Sequence, residues 1–392
     1  MKYATFVLLI CFISIGCATT SLPPVTKDLK LEEDEIRLWN RAKEEEKIIN
    51  RSGMGYKDEE LETYLNEIAK KLLPPEIFSY IPFRVSIIKN HLLNAFAYPN
   101  GAIYIHTGIL ARMDNEAQLA TLLAHEMTHA THRHLVRQFR NIKNKTAFLA
   151  TIEVTTAGLG GLGSLATLLG AIGTIAAVTG YSREHETEAD REGFKHMVNA
   201  GYDPKEAPKL FLHLKKEVEE EEEKKEPFFF GTHPRLNERI ENYETLLKTQ
   251  SQGQWGNIQN TEIFLKKIGR VLLDNARDDL KAGRFKIAER GVEKYLKIKL
   301  QSAEASCLLG DIFRQRGEKR DIEKAREHYQ KAISINPSYP DSYKGIGLMH
   351  YKQGEKALAQ KALELYLFHS PQALDRAYIE EYIHQCKEGG KK

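Results

Sequence analysis

Residues 115–140 read NEAQLATLLAHEMTHATHRHLVRQFR, and the rest of the chain is interpreted outward from them. Leu119, Leu122 and Leu123 recur at helical spacing, and Asn115 with Gln118 forms an N-terminal capping pair. The spacing predicts one amphipathic helix from Asn115 to Arg140. Residues four apart share a helix face. His125 and His129 can therefore offer their imidazoles to one metal ion, with Glu126 beside the water that such an ion would activate.

A catalytic zinc ion takes three protein ligands and keeps one position open. His132 lies on the same face, but it is too close along the chain to complete a good tetrahedron. The metzincin pattern would place a third His six residues after His129, and that residue is Leu135. The remaining candidates are acidic residues on a second helix, predicted from Ser182 to Asn199: Glu184, Glu186, Glu188 and Asp190. Glu186 and Asp190 are four apart, so one can bind metal while the other holds a ligand imidazole by hydrogen bond. The spacing alone leaves open which Glu is the ligand.

Between these helices, Val154 to Ser182 contains no charged residue. Glycines at 158, 160, 161 and 163 interrupt it. If the flanking motifs form one site, the run must return to its starting side. It is expected to be a helical hairpin that either covers the cleft, the preferred reading, or dips into a bilayer surface.

Upstream, Leu31 to Asn50 and Asp58 to Leu73 read as helices, with Pro74-Pro75 stopping the second. Phe83 to Ile88, Leu92 to Ala97 and Ala102 to His106 read as strands, with Pro99-Asn100-Gly101 as a turn. Asn94, Ala95, Phe96 and Ala97 form the candidate edge to which an extended peptide could add. Downstream, Glu217 to Glu226 reads as a solvated charge run, and Gln250 to Gln259 as a polar linker.

Beyond the linker the sequence repeats. Gly283, Gly317 and Gly354 recur at spacings of 34 and 37, as do Ala276, Gly310 and Gly347. Pro337 and Pro371 lie 34 apart, although Leu300 stands where the first repeat would have its Pro. This period, with small residues at close helix contacts, is the tetratricopeptide signature. Leu374 to Lys387 is expected to cap the array.

The chain has 392 residues, 42% of them hydrophobic and 28% charged, with a net charge of +3. That balance excludes a dedicated nucleic-acid binder, which would carry a marked basic excess. Met1-Lys2 followed by the apolar run Ala4 to Ile15 reads as an export signal. It ends in Ser14-Ile15-Gly16-Cys17, which resembles a lipoprotein cleavage box apart from Ser14. Cys17 is the candidate lipidation site, and Ala18 after it points to the outer membrane. In an oxidising compartment Cys307 and Cys386 could pair, or stay as two buried thiols.

His125-Glu126-Met127-Thr128-His129 followed by Glu186-Thr187-Glu188-Ala189-Asp190 resembles the zinc metallopeptidases of the CAAX-prenyl-protease and HtpX family. Thr107 to Leu110, Ser182-Arg183 and Thr232-His233-Pro234 with Arg239 add to the likeness. Within the family the chain looks most like the periplasmic BepA-like branch, which joins this domain to tetratricopeptide repeats. The resemblance implies a fold that is mainly α with a small β-sheet, a gluzincin-type protease domain followed by α-helical repeats. Its segments would be a signal peptide (1–17), a tether (18–30), the protease (31–249), a linker (250–268) and the repeats (269–388). It also implies one Zn2+ per chain, held by His125, His129 and Glu186, with Asp190 behind them. Glu126, His233 and Arg239 would be catalytic, and His233 could instead hold the enzyme off. The implied partners are unfolded or misassembled outer-membrane proteins, and the outer-membrane assembly machinery through the repeats.

Overall fold

The computed structural model of the chain describes residues 22–26, 30–141, 181–221, 236–249 and 255–388. At its centre is a three-stranded sheet of β1 (Arg84–Ile88), β2 (Ala95–Ala97) and β3 (Ala102–His106), in the order β1-β3-β2. β3 runs parallel to β1 and antiparallel to β2, so β2 forms one edge. The turn between β2 and β3 needs Gly101, whose φ is +86°; a Cβ there would also meet Ile81 at 2.6 Å.

Alternation along the sheet sends side chains to two different cores. Ile103 and Ile105 join Leu65 and Ile68 of α2 (Glu59–Leu72) and Leu119 and Leu123 of α5 (Glu116–Thr131). Phe96 and Tyr104 pack instead with Leu38, Ala42 and Ile49 of α1 (Glu33–Arg51). Helix α5 is thus enclosed, and all sixteen of its residues are buried rather than only one face.

The single helix expected over Asn115 to Arg140 is in fact two. Helix α5 stops at Thr131, and α6 spans His134–Asn141. Arg133 turns the chain with φ +57°, and its guanidinium pairs with the buried Glu35 of α1 at 2.9 Å. A tertiary ion pair therefore sets this break, with no Gly or Pro to announce it.

After β3 come α4 (Thr107–Arg112), and later α7 (Arg183–Asn199), α8 (Glu206–Glu221) and α9 (Leu236–Thr249); α3 (Pro75–Tyr80) precedes the sheet. Most of the hairpin expected at 154–182 lies outside the described residues. The stretch 250–268 contains a helix, α10 (Thr261–Lys267), where a polar spacer was expected. Phe264, Ile268, Val271 and Leu272 all enter the core beneath the sheet. Their helical spacing was masked by the polar run before them.

The repeats form three helix pairs: α11 (Gly269–Lys281) with α12 (Phe285–Ile298), α13 (Ala303–Arg316) with α14 (Asp321–Ile335), and α15 (Pro340–Lys352) with α16 (Lys356–His369). Helix α17 (Arg376–Glu388) closes the array. The recurring small residues are close contacts, as expected: Tyr329 packs so tightly that a Cβ at Gly310 would lie 2.6 Å from its ring. Cys307 and Cys386 are separate buried thiols. No helix among the described residues is long and apolar enough to cross a membrane.

The acidic run is solvated only in part. Glu217 is 4% exposed, and its carboxylate joins α4 to the repeats. Arg112 of α4 donates to it at 2.9 Å and to Asp279 of α11 at 3.1 Å, and Arg284 of the first repeat also bonds to it. Removing one member of such a buried cluster strands the others' charges. Glu217→Ala should cost about 3–5 kcal/mol in urea unfolding, whereas Glu219→Ala, two residues along and exposed, should stay within about 0.5 kcal/mol. Equal small losses would restore the solvated reading for both residues.

Candidate metal centre

Helices α5 and α7 cross where Gly193 faces Ala124 and His125. A Cβ at 193 would lie 3.1 Å from the His125 backbone nitrogen and 3.2 Å from the Ala124 carbonyl carbon. The missing side chain lets the helices approach closely. Glu186 and Asp190, seven and three residues earlier on α7, are thereby carried up to the histidines of α5.

His125, His129 and Glu186 bring one ligand atom each into a group spanning no more than 4.8 Å. His125 Nε2 lies 2.9 Å from His129 Nε2 and 3.6 Å from Glu186 Oε2, and His129 Nε2 lies 3.4 Å from Glu186 Oε1. A tetrahedral zinc site with bonds of roughly 2.0–2.1 Å has ligand–ligand edges of about 3.3–3.4 Å. The three separations scatter around that edge. Two imidazole lone pairs at 2.9 Å also require a proton or a cation between them. The donors therefore suit zinc in number, type and spacing. Glu126, 1% exposed, sits beside His125 on the same helix.

Behind His125, Asp190 Oδ1 lies 3.0 Å from Nδ1, the ring nitrogen turned away from the cluster. Arg239 of α9 donates to Asp190 Oδ1 at 2.7 Å, its other amino group approaches Glu186 to 4.0 Å, and its guanidinium lies 4.1 Å over the Phe211 ring. Burial pushes the Asp190 carboxyl up, but the Arg239 charge and the His125 hydrogen bond outweigh it and hold it below its ordinary value. Burial likewise works against the Arg239 charge, and Asp190 and Glu186 more than restore it. Arg239, expected to be catalytic, touches Asp190, His125 and Glu186 from behind the histidines.

His129 has a support that sequence reasoning missed. His134 Nδ1 lies 2.8 Å from His129 Nδ1, and His134 Nε2 lies 3.1 Å from Glu188 Oε2. Arg137 donates to the same Glu188 oxygen at 2.9 Å, and His185 stacks on His134 with ring centres 4.5 Å apart. Burial drives the His134 imidazole toward its neutral form. On a continuous helix, five residues turn through about 500°, which leaves His134 some 140° off the His129 face. Only the break at Arg133 brings it back. Tyr181 covers the other side of His129, with ring planes 12° apart and centres separated by 3.8 Å. Burial raises its phenol pKa, and the charges of Glu126 and Glu186 raise it further.

The candidate substrate edge lies alongside. Asn94 O accepts from His106 and Tyr98 N–H donates to Ala102, so Ala95 and Ala97 turn their backbone groups away from β3. Ala97, Tyr98, His129, Tyr181 and Val25 line a cavity with room for about one water molecule. His132 caps α5 and stands apart from the metal group. His233 and Cys17 lie outside the described residues.

Residues 57–247 match the model of peptidase family M48, and residues 310–354 match a TPR repeat. The beta-barrel assembly-enhancing protease of Escherichia coli strain K12 is 30% identical over 191 residues, covering 46% of this chain and 37% of that protein. The Yersinia pestis protein of the same name is 29% identical over 191 residues, covering 46% and 38%. Mitochondrial metalloendopeptidase OMA1 of Schizosaccharomyces pombe is 29% identical over 186 residues, covering 47% and 52%. The chain thus spans about two fifths to one half of the length of these relatives.

Arg239→Met keeps a side chain over Phe211 but strips Asp190 of its cation. It should weaken zinc binding roughly 10- to 100-fold and cost about 3–5 kcal/mol of stability. A variant that binds zinc and unfolds like the parent, but turns over slowly, would return Arg239 to a direct catalytic role.

Proposed function

We propose, from a chain whose residues 57–247 belong to peptidase family M48 and whose residues 310–354 form a TPR repeat, that the protein is a zinc-dependent endopeptidase of the bacterial cell envelope. Its substrates would be misfolded or stalled outer-membrane proteins. The observation that carries the reading is the convergence of His125, His129 and Glu186 beside Glu126.

His125, His129 and Glu186 would hold zinc, which would supply Lewis acidity toward a water and the scissile carbonyl. Glu126 takes the proton from the attacking water and passes it to the leaving amine. The outward backbone groups of Ala95 and Ala97 hold the substrate as an added strand. Such pairing reads main chain rather than side chains, so sequence preference is loose. A peptide entering here must first part Val25, Tyr181 and Ala97, which meet around the cavity beside His129. His233 is proposed as the oxyanion donor, a role typically worth about 3 kcal/mol, or as a self-blocking ligand. Cys17 is proposed as a lipid anchor to the outer membrane, facing the periplasm.

The second reading is an adaptor that uses its repeats to engage the outer-membrane assembly machinery. The observation in its favour is the repeat array itself, whose stacked helix pairs offer an extended surface.

Zinc content and casein cleavage of the mature protein test both readings. The parent should hold one zinc per chain and cleave. Glu126→Gln should keep the zinc and lose at least about 100-fold in rate. Zinc without cleavage, in the parent and in His233→Ala alike, favours the adaptor. A folded, unchelated preparation without zinc sinks the metal site. Across the same assay, His233→Ala should lower the rate if His233 steadies the oxyanion, and raise it if His233 blocks the site.

A further inference from the structure

We propose that His134 is a positioning residue for the metal centre: with Glu188 and Arg137 it fixes the tautomer of His129, so that Nε2 of His129 presents its lone pair to zinc. The proposal rests on the zinc reading above and deepens it.

The argument starts at the outer end of the chain of contacts. Arg137 donates to Glu188 Oε2 at 2.9 Å, so this oxygen belongs to an ionised carboxylate that can only accept. The same oxygen lies 3.1 Å from His134 Nε2, which must then carry the proton and donate it. A neutral imidazole protonated at Nε2 has a bare Nδ1. That Nδ1 lies 2.8 Å from His129 Nδ1, and two bare nitrogens would repel at this distance. His129 must therefore carry its proton on Nδ1 and donate it to His134. Its Nε2 is left with a lone pair, and this is the atom that meets His125 Nε2 and Glu186 Oε1. Each contact forces the next, and the direction of every hydrogen bond follows from one arginine.

The surroundings hold the relay in place. His134 is fully buried, and the imidazole of His185 lies against it with ring planes 9° apart. Glu188 is on α7, two residues beyond Glu186, and pairs with Arg137 of α6. On His125 the surroundings differ: Asp190 Oδ1 lies 3.0 Å from Nδ1, and Arg239 Nη2, bonded to Asp190, lies 2.8 Å from the same nitrogen. A carboxylate acts directly on His125, whereas an imidazole is interposed on His129. The interposed ring makes the second support dependent on proton direction as well as charge.

The test uses the full mature protein, with His134→Leu and His134→Gln beside the parent. Three quantities are read: zinc dissociation constant by chelator competition, melting temperature of the metal-free protein, and imidazole tautomers of the zinc-loaded parent by long-range 1H–15N NMR. His134→Leu removes the acceptor and should weaken zinc roughly 10- to 100-fold while the metal-free protein melts as the parent does. His134→Gln offers an amide oxygen to His129 and should recover most of that loss. The parent's spectrum should show one histidine protonated at Nε2 and hydrogen-bonded to a second protonated at Nδ1. Zinc affinity of His134→Leu within about twofold of the parent overturns the proposal and leaves the metal site standing. So does a parent spectrum with His134 protonated at Nδ1, which also decides the matter if the Leu variant fails to fold. Absence of zinc from the parent overturns the metal site and the relay together.

Discussion

The approach of α7 to α5 at Gly193 is the constraint on which the site depends. The candidate metal ligands come from two helices separated by more than fifty residues of chain, and nothing local fixes their distance. A backbone-to-backbone contact does so instead, with no side chain at 193 to hold the helices apart. Once the crossing is set, the 3.6-residue period places Asp190 and Glu186 in successive turns toward the histidines. A larger residue at 193 would move both carboxylates together, so ligand and support would fail as a unit.

Close packing of this kind carries an electrostatic cost. Helix α5 is buried along its whole length while it bears two histidines and two glutamates. Buried polar groups persist only where they are paired. Glu116 accepts from the hydroxyls of Tyr64 and Tyr202, His125 is backed by Asp190, and His129 by His134. The arginines that complete these supports, Arg239 and Arg137, come from other helices. The charge needed at the centre of the domain is therefore balanced from neighbouring helices, and several elements must dock before the site exists.

Much of this could be read from the sequence, for reasons that differ element by element. The His125–His129 pair, the helix predicted from Ser182 to Asn199 and the three strands are local patterns with their own periods, and the structure returns them within a residue or two, apart from the shorter β2. The third ligand needed more than spacing, because four acidic residues of α7 satisfied the pattern equally well. The resemblance to known peptidases selected Glu186, and the geometry agrees. The break at Arg133 was illegible, since it is set by Glu35, nearly a hundred residues upstream. His134 was hidden with it. Glu217 was misread for a related reason: a run of like charges looks solvated until a distant arginine is known to face it.

The same long-range pairing bears on where the catalytic unit ends. Composition places a boundary at the polar stretch after Thr249, and the tetratricopeptide period begins near Gly269. The packing respects neither point. Phe264 to Leu272 complete the core beneath the sheet, Tyr295 and Ile298 of the first repeat lean on it, and Arg284 and Asp279 neutralise groups on α4 and α8. Cutting the chain at the linker would leave a hole in that core and would strip the buried Arg112–Glu217 pair of Asp279 and Arg284. The first repeat is in this sense part of the N-terminal domain, and the second and third are what it presents to solution. A surface held so firmly to the N-terminal domain keeps a fixed distance from the candidate metal site, which a flexible tether would not allow.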